Sequence, residues 1–454
     1  MNGNRMLLFL LLILFLLTPA SAVASVIDDD ADAIIARFQE YLRINTAHPS
    51  PDYDTSARFL LAQSASIGLH AETVEFAAGK PLVLLSWPGR LPSLPSLLLN
   101  SHTDVVPAEP HKWRYPPFSA STDSDGKIFA RGSQDMKCVG LQYIEAIRHL
   151  KAKGFTPDRT IYVSFVPDEE IGGHEGAEAF AKSEKFRSLN VGVVFDEGLA
   201  SPSEDYRVFY AERSPWWMTI KARGAPGHGA LMYDGSAMEN LAKSLEVIRK
   251  FRASQFDLVK AGRKAEGEVV SVNMVFLKAG TPSSTSRTGF VMNIQPSEAE
   301  AGFDIRVPPN ADPRALERRI AEEWAPSSRN LTFEIGQFIQ KVPVHDMFGN
   351  PAITTADSSN PWWTLLVDAV QKANGRLAKP EIFPASTDVR YFRARGIPAF
   401  GFSPMANTPI LLHDHNEFLN KAEYLKGIAI YESIIKEFTT YRELVLDDES
   451  RAEL

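Results

Sequence analysis

The sequence predicts an α/β protein: a doubly wound, mixed sheet interrupted by an inserted α+β segment. Three observations carry that prediction. Short apolar runs (Leu82–Trp87, Leu97–Leu99, Ile161–Val166, Val191–Phe195) alternate with helical patterns at Cys138–Lys151 and Gly176–Lys182, the signature of strands crossed over by helices. The middle of the chain instead packs several strand-like runs around only two helical patterns. The length of 454 residues exceeds one ordinary domain on a prior of ~150 residues per domain.

Taken in order, the chain opens with Arg5, an apolar run from Leu7 to Leu17, and the small residues around Ala22 and Ala24. This is the pattern of a secretory signal peptide over residues 1–24. The run is too short for a membrane span, which needs ~20 apolar residues, and no later stretch is apolar enough. The expected compartment is therefore the secretory route, with the cytoplasm as the alternative. Ala31, Ile34, Ile35, Phe38, Tyr41 and Leu42 share one helical face behind Asp28–Asp30. A second helix is expected from Ser56 to Ile67, stopped by Gly68. In the middle, Trp216–Ala222, Ser271–Leu277, Phe290–Ile294 and Ala301–Val307 read as strands, and Ala237–Phe251 and Pro313–Glu323 as helices. The α/β pattern resumes at Trp362–Ala373, Ala399–Phe402 and Ala422–Phe438. The expected division is 25–213 with 345–454 as one domain and 214–344 as the insert.

Composition narrows the chemistry. Forty-eight Lys and Arg against 56 Asp and Glu leave a formal net charge of -8, a poor match to nucleic acid, which is bound by a basic footprint. The lone Cys138 excludes a disulfide framework and a thiolate zinc finger. A catalytic metal would have to use the ten histidines and the carboxylates.

In open α/β sheets, ligands bind beyond the carboxyl ends of strands. There the sequence sets His102 and Asp104, then Asp168, Glu169 and Glu170, then Asp196 and Glu197, then His413, Asp414, His415 and Glu417, with Asp135 opening a helix. Any one of these reads equally well as a cap or turn residue. Together they crowd carboxylates without basic partners, which repel unless a cation neutralises them. Histidine and carboxylate without thiol suits zinc, and a bridging carboxylate suits two zinc ions.

These segments resemble the di-zinc amidohydrolase and peptidase family that includes carboxypeptidase G, succinyl-diaminopimelate desuccinylase and the aminoacylases, and most of all its aminoacylase branch. The resemblance rests on Ser101–Pro107 (SHTDVVP), Ala130–Lys137 (ARGSQDMK), Pro167–Gly173 (PDEEIGG), Gly224–Gly229 (GAPGHG) and Leu411–Glu417 (LLHDHNE). It implies a zinc-peptidase catalytic domain carrying an inserted lid and dimerisation domain. It implies two zinc ions per subunit, one held by His102 and Asp196, the other by Glu170 and His413, with Asp135 bridging; His415 is the competing choice in the tail motif. Asp104 would accept a hydrogen bond from the His102 ring, and Glu169 would serve as general base. His228 would reach the active site of the other subunit in a homodimer formed through the insert. Asn293, in a motif (NIQP) that departs from the family's usual form, would contact the substrate carbonyl, and Arg306 and Arg390 its carboxylate.

The implied reaction is hydrolysis of N-acyl-L-amino acids to a carboxylate and a free amino acid. A di- or tripeptidase or carboxypeptidase of the same family is the alternative, and an inactive scaffold is a third reading. Cys138 reads as core. So do the Trp216-Trp217 and Trp362-Trp363 pairs, which otherwise would line an acyl pocket.

Overall fold

The computed structural model describes residues 20–335 and 342–442. Residues 1–19 of the expected leader lie outside the described residues; 20–24 begin the first helix. In chain order, the described residues give helices α1 (Ala20–Arg43) and α2 (Tyr53–Ser66), then strands β1 (His70–Glu75), β2 (Pro81–Trp87) and β3 (Ser96–His102), then α3 (Lys137–Ala152). Next come β4 (Ile161–Val166), β5 (Val191–Asp196), β6 (Val208–Glu212), β7 (Ser214–Arg223), α4 (Ala237–Lys260), β8 (Ser271–Ala279), β9 (Glu298–Val307) and β10 (Leu331–Ile335). The chain closes with α5 (Pro361–Lys372), β11 (Glu381–Phe383), β12 (Ala399–Phe402) and α6 (Lys421–Thr440), beside shorter pieces named by their residues below.

Eight strands form one mixed sheet in the order β1-β2-β4-β3-β5-β12-β6-β11. Its central strand β3 runs parallel to both neighbours, pairing His102 with Val166 of β4 on one side and Leu97–Leu99 with Val193–Phe195 of β5 on the other. Every residue of β3 is buried because both faces are covered, which is why it reads as an unbroken apolar run rather than an alternation. Leu97 and Leu99 enter the core under α1, α3 and α6, while Leu98 faces the opposite core with Phe180 and Phe392. This is the doubly wound arrangement expected.

The second sheet is antiparallel, ordered β8-β9-β7-β10. α4 packs on it through Ala237, Leu241 and Ile248 over a separate core that holds Trp216 and Trp324. The chain passes from one sheet to the other at Arg213, between β6 and β7. The buried guanidinium there donates to the carbonyls of Pro384 and Glu266, so the crossing point is pinned to both sheets. β8 lies at an edge and leaves Met274, Val275, Phe276 and Leu277 exposed, by 43–63%.

Some expectations shift. α4 runs to Lys260 rather than Phe251, because its last turns bury no residue and need no apolar face; the Lys260–Asp257 ion pair lies on them. Of the expected strand at 290–294, Ile294 pairs with His228 in a two-residue strand that continues to Gln295, and Phe290 makes an isolated bridge to Pro282; Pro296 follows and has no N–H to extend the ladder. β1, β6, β10 and β11 are strands the apolar pattern does not reveal. Trp362 stacks on Phe438 at 5.5 Å, whereas Trp217 is 43% exposed. Among the described residues no helix is long and apolar enough to cross a membrane.

Phe38 of α1 is fully buried and stacks on Tyr424 of α6, with ring centroids 4.1 Å apart. Phe38→Ala is expected to cost about 3–5 kcal/mol, read as a shift of the urea midpoint. A loss under about 1 kcal/mol would show that α1 adds little to this core.

Candidate metal centre

The order β4-β3-β5 brings three parallel strand ends to one edge, so the segments after them emerge side by side. His102 closes β3 and is buried. Its Nδ1 lies 2.9 Å from the backbone carbonyl of Asp104, which fixes the proton on that nitrogen and turns Nε2 towards Asp135 Oδ1, 3.0 Å away. Asp104 thus accepts from the ring as expected, but through its carbonyl oxygen; its carboxylate stands 3.8 Å away. That carboxylate instead accepts the amides of Glu169 and Glu170 at 3.2 and 3.1 Å and pairs with His48 Nε2 at 2.8 Å. It therefore holds the turn after β4 against the turn after β3.

The turn after β4 is tight. Asp168 adopts a left-handed φ of 60° and its side chain accepts the amides of Glu175 and Gly176. Gly173, at φ 66°, closes the turn where a Cβ would meet Asp388 Oδ1. The two glutamates then diverge. Glu170 directs Oε2 to His413 Nε2 at 3.1 Å, while Glu169 lies 3.8 Å from Arg390 Nη1.

Asp135 joins the two imidazoles. Oδ1 faces His102 at 3.0 Å and Oδ2 faces His413 at 3.2 Å. His413 sits at φ 61° in the tail loop. His415 points elsewhere, 3.5 Å from Glu109.

The acid after β5 requires a correction. Asp196 is the last residue of that strand; one oxygen accepts from Asn100 Nδ2 at 3.2 Å and the other has no partner among the described residues. Glu197, one residue on, turns to the opposite side and brings Oε2 within 3.7 Å of His102 Nε2. The ligand atoms of His102, Asp135 and Glu170 lie within 4.8 Å of one another, as do those of His102, Glu169 and Glu197. Asp196 belongs to neither group. The signal for Glu197 was present in the sequence as the Asp-Glu doublet, but the strand's last residue, and so the side each acid faces, was not.

The electrostatics describe a site built for positive charge. Burial pushes Glu169 up to about 8 and Glu197 well above the carboxylate range. The hydrogen bonds of Asp135 and Glu170 lift His413 to about 10. Burial disfavours the His102 imidazolium, yet the bonds from Asp135 and Glu197 outweigh it and hold the ring well above its usual value. The imidazoles thus hold protons where a cation would take their lone pairs. The donors are nitrogen and oxygen only; buried Cys138 faces Gln134 O and Met405 Sδ. Such a set fits zinc.

Arg390 is partly buried and braced by the carbonyls of Thr387 and Gly172 at 2.7 Å. Arg306 is held by Asp304 and reaches Ser386 Oγ at 3.3 Å across the junction of the sheets. His228 and Asn293 stand together, since Gly229 N donates to Asn293 O at 2.7 Å. The His228 ring is exposed and accepts from Ala230 N; neither residue contacts the cluster among the described residues.

A model of peptidase family M20/M25/M40 matches residues 98–437. The chain is 46% identical to aminoacylase-1 of Dictyostelium discoideum over 403 residues, covering 88% of this chain and 95% of that one. It is 42% identical to human aminoacylase-1 over 402 residues, covering 88% and 94%. Among solved structures, an M20 family metallo-carboxypeptidase from Sulfolobus solfataricus superposes with a TM-score of 0.67 at 19% identity, covering 90% and 99%. Human carnosine dipeptidase 1 does so at 0.61 and 16%, covering 92% and 99%. These two share the fold.

Glu197→Ala is expected to lower the zinc bound per chain, measured by elemental analysis after dialysis, while Asp196→Asn retains it. The reverse result would restore Asp196 as the ligand.

Proposed function

The chain belongs to peptidase family M20/M25/M40, and we propose that it is a metal-dependent aminoacylase, hydrolysing N-acyl-L-amino acids to a carboxylate and a free amino acid. One observation carries the reading: Asp135 offers one oxygen to each of two imidazoles, in a chain that matches aminoacylases nearly end to end.

We assign two zinc ions per subunit. His102 and Glu197 would hold one, Glu170 and His413 the other, and Asp135 both. When bound, zinc lowers the pKa of water and polarises the scissile carbonyl. Glu169 takes the proton of the attacking water and returns it to the departing amine nitrogen. Its carboxylate oxygen lies within 4.8 Å of the ligand atoms of His102 and Glu197, within reach of a water held there. Asp104 serves by holding the Glu169 and Glu170 amides, and so the direction in which both carboxylates leave the turn.

The free carboxylate of the substrate needs a cation. Arg390, beside Glu169 and braced in place, supplies one; Arg306 supplies a second by exchanging Asp304 for the substrate. His228 and Asn293 act on the substrate carbonyl from a partner subunit, with residues 214–344 as the lid and dimerisation domain and 25–213 with 345–454 as the catalytic domain. The exposed apolar edge of β8 supports a homodimer through that insert. The leader alone supports the secretory route.

Glu169→Gln is expected to stay folded and zinc-loaded while kcat on N-acetylmethionine falls about 10²–10⁴-fold; full activity would remove Glu169 from the reaction. Wild type that ignores N-acetyl amino acids but cleaves unblocked dipeptides would replace the aminoacylase reading with a peptidase.

Mixing His228→Ala subunits with Glu169→Gln subunits is expected to restore part of the activity, because one of the two sites then has both groups. Absence of rescue in a verified mixed dimer would confine each site to one chain.

A further inference from the structure

The tail loop that carries His413 ends in a carboxylate for which the proposed reaction has no use. Glu417 is fully buried, and its oxygens take up one short segment of chain. Oε2 accepts from Arg131 Nη1 at 2.8 Å and Gly132 N at 3.2 Å. Oε1 accepts from Gln134 N at 2.6 Å, Asp135 N at 3.3 Å and Ser133 Oγ at 3.5 Å. Arg131 is itself buried and reaches the Asp414 carbonyl at 3.1 Å. The Gln134 side chain doubles the join: it donates to Pro409 O and Phe418 O at 3.1 and 2.7 Å and accepts from Leu411 N at 3.0 Å.

The segment wrapped around Glu417 is the one that delivers Asp135, and the segment Glu417 terminates delivers His413. Asp135 and His413 come from loops nearly 280 positions apart in sequence, yet must keep their donors 3.2 Å apart. A fully bonded carboxylate between the two backbones is a rigid spacer, and charge-assisted bonds are the strong kind. A core acid serving stability alone would have no reason to spend its oxygens on the residues leading to Asp135.

We propose that Glu417 is a positioning residue: through the backbone of residues 132–135 it sets Asp135 against His413, and so sets how tightly the centre holds metal. This rests on the reading of Asp135 as a zinc ligand. Groups that orient metal ligands typically change affinity 10–100-fold when mutated.

The test uses the full chain, stripped with chelator and titrated with zinc against a chromophoric competitor, alongside the melting temperature of the stripped protein. Glu417→Gln is expected to weaken zinc binding about 10–100-fold, and Glu417→Asp, which keeps the charge, to recover part of that loss. Glu145→Gln is the control, because Glu145 is equally buried and paired with Arg37 and Arg148 on α3. It is expected to lower the melting temperature without changing zinc affinity. Wild-type affinity in Glu417→Gln would overturn the proposal, as would a parallel loss in Glu145→Gln. Should Glu417→Gln fail to fold, unchanged affinity in Glu417→Asp overturns it equally. A wild-type chain that binds no zinc would instead overturn the metal reading beneath it.

Discussion

Four carboxylates (Asp135, Glu169, Glu170 and Glu197) meet two imidazoles at the edge where three parallel strands stop; Asp135, Glu197 and His102 are buried and Glu169 and Glu170 are partly so. Like charges so close, away from water, oppose folding unless something positive stands among them. Much of the surrounding architecture follows from that. The Asp104 carboxylate gathers the amides of the β4 turn, Arg390 stands beside Glu169, and both imidazoles hydrogen-bond the carboxylates next to them. Each device reduces the same repulsion, and none of them removes it, which is why the cluster suits a cation better than it suits the protein alone.

The strand order turns this local chemistry into a site. With β3 between β4 and β5, all running the same way, the ends of three apolar runs are neighbours although their sequence positions span from His102 to Glu197. The other members of the cluster come from segments that no strand supports. Asp135 precedes α3, and His413 lies in a loop with left-handed turns, so these two depend on hydrogen bonds for their placement rather than on the sheet.

What the sequence disclosed follows the same division. The buried central strands stand out as apolar runs, and Ile161–Val166 and Ala399–Phe402 match the observed strands at both ends. β1 is missed because it lies at the sheet edge, where half-exposed positions dilute the pattern, and β11 because three residues leave too short a signal. His102, Asp135, Glu170 and His413 were legible through the motifs around them. That Glu197 rather than Asp196 faces His102 was not, because adjacent residues at a strand end face opposite ways and the side is fixed by where pairing stops. Asp104 shows the same limit at finer scale: the residue was marked, but the atom that meets His102 is its carbonyl oxygen, and the side chain works on a different turn. His228 and Asn293 were found by motif alone, and within one chain their surroundings carry no trace of the cluster.

The exposed run of Met274, Val275, Phe276 and Leu277 on the edge of β8 bears on the life of the chain before it reaches any substrate. An apolar strand with free backbone groups along one side is a template for any other extended segment it meets. A newly made chain therefore carries a hazard that grows with crowding of its own unfolded copies. It is relieved only when the edge is paired or covered, so quality control during synthesis has as much claim on these four residues as the finished enzyme does.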